Sequence, residues 1–142
     1  MTGLTPLAPG VSAWLDPNPA PGHPNAGVVV DEDGITVIDT LCVPSQWDPF
    51  ADAVEALGSP IRRVVLTSSH IPYVGGTPRF WRAGIYGTAQ TSAHLDQPPN
   101  VDAYRRTGAG VDRLREAMVP MQGVTLTPKV WEQDVLPRRL GA

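Results

Sequence analysis

What this 142-residue chain has little of narrows its function first. It holds one cysteine, Cys42, which excludes an internal disulfide and any cysteine-based zinc cluster. With no histidine near it in sequence, Cys42 reads as a small apolar filler rather than a nucleophile. No apolar run approaches the roughly 18 residues of a spanning helix. The N-terminus MTGLTPLAPG lacks the basic and apolar regions of a signal peptide. No membrane is therefore expected, and the cytoplasm is the expected compartment. Charge is sparse too. Only 18% of residues are charged and the net charge is −3, which leaves no basic stripe to neutralise phosphates, so nucleic acid is not an expected partner.

Proline and glycine, by contrast, are plentiful, at 16 and 14 residues. Many fall between Thr5 and Pro24 and at Pro98 and Pro99, which predicts long irregular stretches. With 42% hydrophobic residues the chain is not that of a disordered protein, and its length suits one domain with a sizeable core. The prolines of residues 1–24 predict an arm with one short strand near Val11 to Leu15. Ala26 to Val30 and Ile35 to Asp39 are β-rich runs around Asp31-Glu32-Asp33-Gly34, whose Asp-Gly pair predicts a hairpin. Pro44 to Leu57 reads as a helix with Trp47, Phe50, Val54 and Leu57 on one face, Ser45 as N-cap and Gly58 as stop.

The chain is organised around Ile61 to Gly76, IRRVVLTSSHIPYVGG: an apolar strand that breaks into a polar loop and closes on two glycines. A loop at the carboxyl end of a buried strand is where α/β folds place their chemistry. Thr77-Pro78 then begins a short helix ending at Gly84, and Ile85 to Thr88 is another strand, making a βαβ unit with parallel strands. A helical turn at Thr91 to Asp96, a glycine-weakened helix at Val101 to Met118 and a strand at Val124 to Leu126 complete the predicted elements. Residues 128–142 read as a tail.

The run Leu66 to Gly76 resembles the metal-binding loop of the metallo-β-lactamase superfamily, Thr-His-X-His-X-Asp-His-X-Gly-Gly. Thr67, His70, Gly75 and Gly76 match, whereas Ser68, Pro72 and Tyr73 stand where a ligand histidine, the ligand aspartate and the next histidine would be. The hairpin HPNAGVVVDEDGITVIDT is similar to the family's opening hairpin, and in the family the aspartate matching Asp39 supports the metal loop from behind. The resemblance spans roughly Trp14 to Leu126, the first half of the family's αββα sandwich. It implies an α/β fold, a mixed sheet with helices on one face, with residues 25–127 as a half domain completed by dimerisation.

Zinc needs three or four N, S or O donors converging at about 2.0 to 2.3 Å; proline offers none and serine is a poor ligand at neutral pH. No metal cofactor is therefore expected, although His23, His70 and Asp39 would make a chemically acceptable residual set for zinc or iron. The first expectation is a metal-poor pseudoenzyme or small-molecule-binding protein, a homodimer or a partner of a separate chain that supplies the second half. The alternative is an enzyme, a remodelled hydrolase or cyclase, or one subunit of a two-chain metallohydrolase. Its catalytic residues would be His70, Tyr73, whose phenol could donate to an oxyanion, and His23 at the mouth of the hairpin. Ser68, Ser69 and Asn25 would contact the ligand, and Asp39 would steady the loop. His94 reads as a surface residue.

Overall fold

The computed structural model describes residues 3–20 and 22–95, together with the backbone of 129–130. The predicted helix Val101 to Met118 and strand Val124 to Leu126 lie outside the described residues. Seven strands form one mixed sheet in chain order: β1 (Leu4–Ala8), β2 (Val11–Trp14), β3 (Ala26–Asp31), β4 (Gly34–Ile38), β5 (Ile61–Val65), β6 (Gly84–Gly87) and β7 (Lys129–Val130). The pairings from β1 to β4 are antiparallel and those from β4 to β7 parallel, as expected of hairpins followed by crossover units.

Register divides the sheet into two unlike faces. Val28 opposes Val37, and Val37 opposes Val64, so one face carries Val28, Ile35, Val37 and Val64, all buried. Helix α1 (Pro44–Glu55) lays Trp47, Phe50, Ala51 and Val54 into the same core. Phe50 anchors it: its ring lies 5.6 Å from that of Trp14 and 6.1 Å from that of Phe80. Truncating such a ring to alanine costs about 3–5 kcal/mol. The opposite face carries Val29, Thr36, Ile38, Arg63, Val65 and Tyr86, each half-buried.

Several local expectations are revised. The proline-rich start forms a second strand, β1, because Pro6 sits on the sheet's edge, where a missing amide disrupts no interior ladder. The N-cap of α1 is Val43, not Ser45, since Pro44 fits the first turn and needs no donor there. Gln46 closes that end instead, its Oε1 accepting the amides of Cys42 at 3.1 Å and Val43 at 3.2 Å. The helix stops at Glu55, so Leu57 leaves the apolar face and is 46% exposed. A helical turn not foreseen, α2 (Ile71–Val74), follows the polar loop, ahead of a 3-10 helix at Thr77–Phe80. Helix α3 (Ala89–Leu95) occupies the predicted turn, and Lys129–Val130, read as tail, pairs with β6.

Candidate functional site

Strands β4 and β5 run parallel, so the segments leaving their carboxyl ends, residues 39–43 and 66–70, lie side by side. The first takes a sharp turn, with Asp39 at φ 62° and Leu41 at φ 69°. Aspartate tolerates that left-handed backbone; leucine does so at a cost of roughly 1–3 kcal/mol, and here it is buried by the surrounding structure. The turn brings the buried Asp39 carboxylate onto Thr67: Oδ1 accepts its amide at 2.8 Å and Oδ2 its hydroxyl at 2.6 Å. Burial pushes the Asp39 carboxyl above its ordinary value despite these two bonds, which favour the ionised form.

Thr40 continues the clamp. Its amide donates to the Tyr73 carbonyl at 2.7 Å, and its hydroxyl lies 3.1 Å from that carbonyl and 3.1 Å from the Thr77 hydroxyl. Thr77 in turn donates to the Val74 carbonyl at 2.6 Å. The two glycines close the fold-back, because a Cβ on Gly75 would meet the Cys42 carbonyl and one on Gly76 would lie 2.7 Å from Trp47 Cβ. Steric space, not an unusual φ, is what requires glycine here.

Inside this frame the loop presents polar groups. Ser68 is half-buried and its Oγ accepts the His70 amide at 3.1 Å, a local turn bond. Ser69 Oγ lies 3.3 Å from Nδ1 of His94, which α3 carries over to the loop. His70 is exposed, while Tyr73 is half-buried and packs against the core. Asp39 holds the loop at Thr67, three residues ahead of His70.

His23 pairs with Asp16. Its Nδ1 lies 3.0 Å from Asp16 Oδ2, and the Asp16 amide donates to Asn25 Oδ1 at 2.8 Å. A carboxylate on Nδ1 favours the proton at that nitrogen. The pair lines a cavity of about 220 Å³ with Trp14, Leu41 and Gln46, and His70 is not among its lining residues. Of the residues proposed for the site, Ser68, Ser69, His70 and Tyr73 lie on the segment after β5, and His23 and Asn25 at the hairpin mouth, where both bond to Asp16. Sequence reading missed the roles of His94 and Asp16. For His94 no local signal existed, since its link to Ser69 spans 25 residues; Asp16 is a polar residue just past β2 in a proline-rich stretch and gave no motif.

Among the described residues, no group of three or more His, Cys, Asp or Glu is placed to hold a metal ion. The donor set on the loop is a single imidazole, two serines and a phenol, which does not fit a zinc cage. Such side chains can donate and accept hydrogen bonds.

The sequence pattern of the metallo-beta-lactamase superfamily matches residues 19–140. Among solved structures, a metallo-beta-lactamase from Cronobacter sakazakii with an altered HARLDQ motif is 18% identical, with a TM-score of 0.56 over 67% of this chain and 38% of its own. A mono-zinc metallo-beta-lactamase from Pseudomonas aeruginosa is 23% identical, with a TM-score of 0.53 over 66% of this chain and 44% of its own. One from Erythrobacter litoralis is 25% identical, with a TM-score of 0.52 over 64% and 43%. These likenesses show the fold, and the chain spans less than half the length of each of these relatives. Among curated proteins no sequence matches.

Proposed function

This chain belongs to the metallo-beta-lactamase superfamily, and from that premise we propose that it is a metal-independent member that binds a small polar molecule at the loop following β5. The observation that carries this reading is the contrast within residues 66–76. The hydrogen-bonded frame of Asp39, Thr40, Thr67 and Thr77 is intact, yet Ser68, Pro72 and Tyr73 take positions where metal donors would stand. Ser69, His70 and His94 are the groups that would hold the ligand, by charge-assisted hydrogen bonds where it is anionic.

Self-association belongs to the same proposal. The half-buried face of Val29, Ile38, Val65 and Tyr86 has the composition of a surface that packs against another layer, and a second copy of the chain would supply one. Purified protein analysed for zinc and iron should contain less than about 0.2 equivalents per chain; a full equivalent held after dialysis would end the metal-independent reading. Light scattering should give twice the 15.2 kDa chain mass, and a monomer at micromolar concentration would remove the dimer. A small-molecule thermal-shift screen should find a ligand whose stabilisation is lost in His70→Ala and Ser69→Ala.

A further inference from the structure

Four arginine side chains are described, and they divide into two kinds. Arg63 is held by Asp31 and Asp33, with Nη2 2.8 Å from Asp33 Oδ1, and Arg79 reaches Asp48, Asp52 and Glu55. Hydrogen bonds to Asp33 and to Glu55 respectively hold these two guanidiniums above their ordinary values. Arg62 and Arg82 have no carboxylate at ion-pair distance among the described residues. Arg62 is exposed and uses Nε on the Asp33 carbonyl, at 3.2 Å, which is its one described hydrogen bond.

Both uncompensated arginines line the same open cavity, of about 730 Å³, within the range of roughly 300–1,000 Å³ common for small-molecule sites. Trp81, 72% exposed and the most exposed of the large hydrophobic side chains described, lines the same cavity. The Arg82 guanidinium lies 4.7 Å from the indole centroid, a cation–π contact that steadies the ring at the cavity's edge. Pro60 and Phe80 add apolar wall and Ser59 a hydroxyl; Glu55 and Arg79 also line the cavity but neutralise one another as an ion pair, so the cationic excess comes from Arg62 and Arg82. The cavity adjoins Ile61, where β5 begins, and so lies at the opposite end of that strand from the loop after Val65.

In a chain of net charge −3, two guanidiniums with no acidic partner among the described residues, lining one cavity with an exposed indole, form an incomplete recognition set. What completes it is a flat ring with negative charge: the ring stacks on the indole and the anion meets the guanidiniums. We propose that this cavity binds a small aromatic anion, a ring bearing a phosphate, sulfonate or carboxylate, at Trp81, Arg62 and Arg82. The site is independent of the one at the β5 loop, and substitutions in either leave the other in place.

Calorimetric titration of the full chain with naphthyl phosphate tests this, with naphthalenemethanol and inorganic phosphate as controls. Saturable binding at one equivalent is expected, about tenfold weaker in Trp81→Ala and in the double variant Arg62→Gln, Arg82→Gln, and about tenfold weaker for either control. Naphthyl phosphate should also slow phenylglyoxal modification of Arg62 and Arg82 in the unaltered protein, which needs no variant to fold. Absence of binding at millimolar ligand, equal affinity for naphthalenemethanol, unchanged affinity in Trp81→Ala or no protection of the two arginines would each overturn the proposal.

Discussion

Two sets of residues share the segment after β5, and they are built differently. The frame, Asp39, Thr40, Gly75, Gly76 and Thr77, is buried, with its polar atoms satisfied and its glycines pressed against backbone carbonyls. The presented positions, Ser68, Ser69 and His70, are half-buried or exposed and bonded mainly to near neighbours or to the exposed His94. A buried polar frame is over-determined, because its members hydrogen-bond one another out of reach of water; exposed side chains have solvent as an alternative partner. The fold can therefore keep a metal-site scaffold while the metal donors change.

Substitutions should separate the two sets by the size of their effect on stability. The largest loss should come from Gly76→Ala, where a Cβ would be forced toward Trp47 and the Thr40 carbonyl: about 3 kcal/mol, read as a lowered midpoint in urea unfolding. An undiminished midpoint would show that the frame yields easily and would dissolve the contrast. Thr77→Val comes next. It removes the hydroxyl that donates to the Val74 carbonyl and leaves the Thr40 hydroxyl with the Tyr73 carbonyl alone, and should cost ~1–3 kcal/mol in the same measurement.

Asp39→Asn sharpens the comparison through pH. Burial raises the folded-state pKa of Asp39 above its ordinary 3.8, so between those two values the folded chain holds a proton that the unfolded chain has released. Its contribution to stability is then largest below pH 3.8 and is lost as pH rises through the folded pKa. The asparagine variant lacks this titration. Relative to it, the unaltered protein should lose stability as pH rises through that window and stay level above it. A difference independent of pH between 3.8 and neutrality would show that Asp39 titrates as in water.

The smallest stability change is expected for His70→Ala, within about 0.5 kcal/mol, because the side chain is exposed. Its effect should fall on ligand binding instead, with about tenfold weaker affinity for whatever molecule the loop holds. A large loss of stability in this variant would place His70 in the frame and merge the two sets.

Much of the frame was legible beforehand, because its signals are local. The hairpin around Asp31 to Gly34, the apolar run into β5 and the Gly75-Gly76 pair are all contiguous, and each is a signal carried by neighbouring residues. The parallel pairing of β4, β5 and β6 follows from the crossovers that such spacing demands. The presented groups were legible as residues but not as a site. Nothing near His94 in sequence points to Ser69, and no motif marks Asp16 as the partner of His23 seven residues away. Leu57 was misplaced because helical periodicity extends past Glu55 in the sequence while the Gly58 turn, at φ 81°, ends the helix in space.

By itself the sequence determined the β3–β4 hairpin, most of the apolar face of α1 and the identity of the donors at the loop, because periodicity, turn chemistry and ligand chemistry act between neighbours or on single side chains. Only the tertiary structure decided which polar atoms meet. Asp39 on Thr67, Thr40 against Thr77, His94 beside Ser69 and Arg62 in one cavity with Trp81 all join residues from separate elements. Such contacts depend on how the chain closes on itself, and that closure is set by the packing of the whole core rather than by any stretch of it.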